Sequence, residues 1–127
     1  MARLTLIVFP DRLAICKLAP DADMPTWAAG PFLSVTRTGE ELSIVCSESA
    51  VPLDVPCERN WRYLRVAGRL DFALTGVLTS LLTPLAQAEI SVFALSTFET
   101  DYLLIPEKDF ARGLQALRDQ GHIAQDC

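Results

Sequence analysis

The chain is poor in histidine, glycine and aromatic residues. Of 127 residues, one is histidine, six are glycine and 8% are aromatic. A single histidine, His122, excludes a multi-histidine metal centre. Cys16, Cys46, Cys57 and Cys127 form no CxxC pair and no zinc-ligand spacing, so free thiols are expected and no metal. No apolar run approaches the roughly 18 residues a bilayer span requires. The opening residues 3–9 reach Pro10-Asp11 with no small-residue cleavage site, which reads as a strand rather than a signal peptide. Basic residues are in deficit, 11 against 16 acidic for a net charge of −5. That balance disfavours unspecific nucleic-acid binding, which needs clustered Lys and Arg. The expectation is a soluble cytoplasmic domain with reduced thiols, and with neither nucleic acid nor membrane as a partner.

Catalytic patterns are also missing. There is no GxSxG elbow, no phosphate-binding glycine loop, no HExxH, and no carboxylate pair with an acid–base split. The chain is therefore expected not to be an enzyme and to need no cofactor. A small enzyme using Cys57 or His122 as its reactive group is the weakest of the readings, because no nucleophile, base and orienting group occur together. His122 follows Gly121 just past a predicted helix end, where a cation complements the helix C-terminus.

What is present is apolar patterning. Half of the residues are hydrophobic, enough for a core at this length. Residues 3–9 and 12–18 read as strands joined by a turn at Pro10-Asp11, and residues 19–31 as a proline-rich loop. A hairpin is expected over residues 32–37 and 41–46, then an extended connector and a strand over residues 61–67. Leu74, Val77, Leu78, Leu81, Leu82, Leu85 and Ala86 recur at helical period, with Asp71 as a plausible N-cap. Pro84 is expected to kink or break that helix near Thr83. Strands over residues 90–96 and 101–105 follow, then a helix carrying Phe110, Leu114 and Leu117 with Gly121 as its stop. This order predicts an α+β, ferredoxin-like arrangement with helices on one face of an antiparallel sheet. A shift of 60 residues pairs Leu4 with Leu64, Asp11 with Asp71, and Glu41 with Asp101, suggesting a duplicated unit.

Two segments could hold a ligand, the stretch from Gly68 to Gly76 and the stretch from Ser96 to Asp101. Exposed N–H groups at the helix start suit an anion such as a carboxylate, and Gly76 lets a ligand approach the backbone. Asp101, at the edge of an apolar strand face with Leu103 and Ile105, wants a cationic partner. A ligand ammonium meets that need, with Ser96 and Thr97 adding hydroxyls. The alternatives are that Asp71 only caps the helix, that residues 97–100 are a polar turn, and that Asp101 pairs with Arg65 or Arg69.

The same segments carry a family resemblance. Gly68-Arg69-Leu70-Asp71-Phe72-Ala73-Leu74-Thr75-Gly76-Val77-Leu78 and Ser96-Thr97-Phe98-Glu99-Thr100-Asp101-Tyr102-Leu103-Leu104-Ile105 resemble the ACT-domain family. More narrowly, the chain is similar to small bacterial tandem-ACT proteins related to the CASTOR arginine sensors. The resemblance runs from about Leu4 to His122 and is looser in the first half. It implies tandem ferredoxin-like βαββαβ units, with residues 1–60 a helix-poor ACT-like half and residues 61–127 an ACT domain. It also implies a non-catalytic regulatory module that binds a small ligand, commonly an amino acid. Leu70, Asp71, Phe72, Thr75 and Gly76 match the ligand-facing loop. Ser96, Thr97, Phe98 and Asp101 match the hairpin that contacts the amino acid, its aspartate meeting a cationic group. The sensors carry four such units, so a homodimer would match that count, and an unidentified protein partner would read it out. The competing expectation is a protein-interaction module with a vestigial pocket and no ligand.

Overall fold

The computed structural model describes residues 3–68 and 75–127. The chain forms two compact units, one of Met1–Pro10 with Arg62–Cys127 and the other of Asp11–Trp61. Strands β1 (Thr5–Leu18) and β4 (Cys57–Val66) each run from one unit into the other without a break.

The unit containing both helices holds β5 (Phe93–Ser96), β6 (Asp101–Pro106) and β7 (Ile123–Asp126), with α1 (Val77–Gln87) and α2 (Phe110–Asp119). Its strands lie in the order β7-β1-β4-β6-β5. β5 and β6 pair antiparallel, from Phe93 opposite Leu104 to Ser96 opposite Asp101, whereas β7 pairs parallel to β1. Alternate strand residues Leu6, Val8, Leu64, Val66, Leu103 and Ile105 pack with Leu81 and Leu85 of α1 and Phe110 and Leu117 of α2. Period-two alternation puts those strand positions on one face, so both helices cover the same side of the sheet. This is the expected α+β, ferredoxin-like arrangement, with β1 inserted into the sheet and the βαββαβ order of β4-α1-β5-β6-α2-β7 completed at the edge by β7. That edge strand escapes pattern reading because its four residues are largely exposed and do not alternate.

The other unit contains no α-helix. Its strands, including β2 (Ser34–Arg37) and β3 (Leu42–Ser47), follow the order β2-β3-β1-β4. A 3-10 turn at Glu48–Ala50 stands between β3 and β4. The expected hairpin forms, and the Thr38 Oγ1 accepts from the N–H groups of Glu40 and Glu41 in its turn at 3.1 and 3.2 Å. Ala14, Cys16, Leu42, Ile44, Cys46 and Val51 make a separate core.

Three expectations need correction. Pro10 does not divide two strands, since β1 is continuous through it. β7 pairs only Thr5 to Val8 and β3 pairs only Leu13 to Leu18, so Pro10 falls where neither ladder needs its N–H. The repeat offset is 59 in the hairpins, because Ser34 faces Val45 as Phe93 faces Leu104. Leu42, not Glu41, therefore corresponds to Asp101, and the match between those two carboxylates disappears. Finally, Pro84 neither breaks nor ends α1, which continues to Gln87.

The reason lies in His122. Proline at position 84 removes the N–H that would bond the Ser80 carbonyl. His122 Nε2 meets that oxygen at 3.3 Å, while Leu4 N–H donates to Nδ1 at 3.1 Å. Because Nδ1 accepts, Nε2 carries the proton and donates to Ser80 O. The ring is 3% exposed and bridges α1 to the start of β1. His122 is thus not a cation at the end of α2, because its side chain serves the other helix. Gly121 does act as the expected stop, at φ +91°, with His122 N–H returning to Leu117 O at 3.2 Å.

Candidate ligand-binding site

The hairpin between β5 and β6 brings four of the expected residues together. Ser96 and Asp101 are register partners, and Ser96 Oγ donates to Asp101 Oδ1 at 2.6 Å. Asp101 shares its face with Leu103 and Ile105, so the carboxylate stands at the end of the helix-bearing face. Asp101 is half-buried, and among the described residues it makes no ion pair with Arg65. Arg65 instead lies over the Phe9 ring at 5.7 Å, and Phe9 stacks on Tyr63 at 4.7 Å. Arg69 lies outside the described residues.

The turn is tightly built. Thr97 N–H donates to Thr100 O at 2.8 Å, and Thr100 N–H donates to Thr97 Oγ1 at 3.3 Å. Thr100 itself is buried, and its hydroxyl donates to Val66 O at 2.7 Å. That bond anchors the hairpin to the end of β4, from which the chain leads toward α1. Sequence reasoning passed over Thr100, although a threonine closing a Ser/Thr-rich turn is a usual backbone-bonding position. Phe98 stands at the tip and is 65% exposed.

The second segment is described only in part. Leu70, Asp71 and Phe72 lie outside the described residues, as does Leu74. Thr75 and Gly76 are exposed and immediately precede α1. The N-cap of α1 is Gly76 at φ +78°, and among the described residues no side chain caps the helix. Glycine is favoured there by the left-handed backbone rather than by crowding, because an added Cβ would meet nothing within 4 Å.

The helix-free unit has a cavity of about 730 Å³, lined among others by Arg12, Ser47, Glu48, Ser49, Leu53 and Arg59. No expected site residue falls in it. Its Arg59 guanidinium is held by the carbonyls of Glu48, Val51 and Pro52 at 3.4, 3.3 and 3.1 Å. The cysteines are free thiols, with Cys16 and Cys46 buried. Burial, with Cys57 and Cys46 nearby, pushes the Cys16 thiol up to about 12. Burial likewise raises Cys46. Among the described residues no cluster of His, Cys, Asp or Glu is placed to hold a metal, and no helix is long and apolar enough to cross a membrane.

Comparison with known proteins agrees with the fold. Residues 57–119 match the family described as the ACT domain, and residues 11–54 match a family described as an N-terminal domain. The human protein named cytosolic arginine sensor for mTORC1 subunit 1 is 26% identical over 114 residues, covering 81% of this chain and 35% of that protein. The chain spans about a third of the length of the first curated relatives it matches. The crystal structure of protein Atu0741 from Agobacterium tumefaciens is 33% identical, covers 100% of this chain and 96% of its own, and superposes with a TM-score of 0.94. The regulatory subunit of aspartate kinase from Thermus flavus shares the fold at 11% identity, with a TM-score of 0.66 over 94% of this chain and 99% of its own. The match over residues 57–119 places the chain in the ACT-domain family.

Proposed function

We propose that the chain is a non-catalytic regulatory module that binds an amino acid at the end of its helix-bearing face. The observation that carries this reading is the Ser96–Asp101 pair. One hydroxyl orients one carboxylate at the rim of an apolar face. The Asp101 carboxylate takes the ligand's cationic group, with Ser96, Thr97 and Phe98 around it. Thr75 and Gly76 take the carboxylate end, and Leu70, Asp71 and Phe72 are assigned to the same ligand contact from the family resemblance alone. ACT membership and the arginine-sensing name of a curated relative support an amino acid as the ligand class.

The organisation follows the same reading. The helix-free unit, Asp11–Trp61, serves as the helix-poor ACT-like half and the unit with both helices as the ACT domain, working as a homodimer in the cytoplasm with a protein partner. Ligand regulates by binding one arrangement more tightly than another, since equal affinity shifts no population.

Calorimetric titration with a panel of amino acids tests the site. A basic or zwitterionic amino acid should bind, and Asp101→Ala should weaken it by about 1.5–3 kcal/mol, the loss of a charge-assisted hydrogen bond. Unchanged affinity in that variant removes Asp101 from the site. Absence of binding by every amino acid favours the protein-interaction module instead.

A further inference from the structure

The helix-free unit gathers thiols in one apolar cluster. Cys16 on β1 and Cys46 on β3 are buried within it, and Cys57, the first residue of β4, is half-buried against it. Strand pairing decides which of them face each other. Lys17 N–H donates to Pro56 O at 3.3 Å near one end of the two strands, and Ala67 N–H donates to Thr5 O at 2.8 Å near the other. Residue numbers thus rise on one strand as they fall on the other, so Cys16 and Cys57 are a directly opposed antiparallel pair. Pairs flanking a hydrogen-bonded position in such strands have Cα atoms about 4.5 Å apart, within the roughly 4.4–6.8 Å over which a disulfide closes. Cys46 stands opposite Ala14, which leaves it diagonal to Cys16.

We propose that Cys57 is a hydroperoxide-reactive modification site and that Cys16 resolves the product into a Cys16–Cys57 disulfide. Exposure sets the order. Cys57 is half-buried and reachable, whereas Cys16 is 1% exposed. The Cys57 sulfur attacks the peroxide O–O bond, an S–O bond forms, and the displaced oxygen leaves as water with the thiol proton. Cys57 is then a sulfenic acid. The Cys16 sulfur attacks the Cys57 sulfur, the S–S bond forms, and the S–O bond breaks. The Cys16 proton leaves with the hydroxyl as a second water. Two thiols lose two electrons and one hydrogen peroxide is reduced to two waters. The opposed positions of the two residues on paired strands fix the geometry of the second step. Such a bond in a reducing compartment is expected to be transient.

The full chain treated with hydrogen peroxide, alkylated without reduction and mapped by mass spectrometry tests this. Expected is a linked Cys16–Cys57 peptide pair, two hydrogens lighter than the reduced peptides, reversed by dithiothreitol. Cys57→Ser should abolish the linkage and leave Cys16 reduced. Cys16→Ala should stop at a Cys57 sulfenic acid that dimedone labels. Urea should slow the linkage by more than about tenfold, because the pair loses its fixed geometry. The proposal is overturned if native Cys57 proceeds to sulfinic acid without linkage, or if it links chiefly to Cys46. It is equally overturned if Cys57 stays reduced while the exposed Cys127 oxidises.

Discussion

His122 shows how one side chain can be structural while looking chemical. Its ring satisfies two backbone groups at once, the Leu4 N–H and the Ser80 carbonyl, in a site that is 3% exposed. Truncation to alanine would leave both groups buried without partners, each costing about 1–3 kcal/mol. His122→Ala is therefore expected to lower stability by roughly 3 kcal/mol, measured by urea unfolding. A loss within about 0.5 kcal/mol, typical of an ordinary surface change, would contradict the bridge. Cys16 supports a second prediction at this scale. Its thiol is pushed up from 9.0 to about 12, so above pH 9 the unfolded chain releases a proton that the folded chain still holds. This contribution is intact below pH 9 and is lost as pH rises toward 12, at up to about 1.4 kcal/mol per pH unit. Urea unfolding at pH 8, 9 and 10 should show a shallower decline in Cys16→Ala than in the parent chain. At this scale the sequence showed Ser96 and Asp101 as a motif but not the bond between them, because a cross-strand contact depends on register. The role of His122 was hidden altogether, since both of its partners are distant in the chain.

Helix α1 was legible where periodicity is strong and misread at its ends. Leu81 and Leu85 are fully buried as expected, but the buried stripe also takes in Ser80 and Pro84, while Ala86 is exposed. Apolar spacing extends N-terminal to Val77, yet the left-handed Gly76 marks the start of the helix. A proline in a helix is normally read as a break because its cost is local. Here the freed carbonyl finds a partner from outside the helix, which local reasoning does not see. Pro84→Ala supplies an N–H to Ser80 O within the helix, so His122 becomes partly redundant. In a double-mutant cycle, His122→Ala should cost about 1 kcal/mol less in the Pro84→Ala background than alone. Strict additivity would show that the two residues do not share the Ser80 carbonyl. The hairpins were recovered from alternation and turn residues. The repeat offset was wrong by one because it was set by residue identity, and the two first strands precede connections of different length. Residues 19–33 join β1 to β2, whereas residues 67–92, which include α1, join β4 to β5.

Across the whole chain, the decisive fact is that β1 and β4 belong to both units. Sequence reading drew its boundary at residue 60, inside β4, because composition and repeats register what each half contains and not how a strand is shared. A unit that unfolds alone would have to release half of β1 and half of β4 while the rest of those strands stayed paired. Each release would expose ladder groups that water must then satisfy and would undo the adjoining apolar packing. A single cooperative transition is expected, although small separate cores normally invite stepwise melting. Calorimetry should give a van't Hoff enthalpy equal to the calorimetric one. His122→Ala in the helical unit and Leu42→Ala in the helix-free unit should both shift that one transition downward. An amino acid that binds only the folded chain should raise it, by about 2.7 kcal/mol in stability at a hundred times its Kd. Two separable transitions, with only the helical unit answering to His122→Ala and to ligand, would show instead that the shared strands do not couple the units.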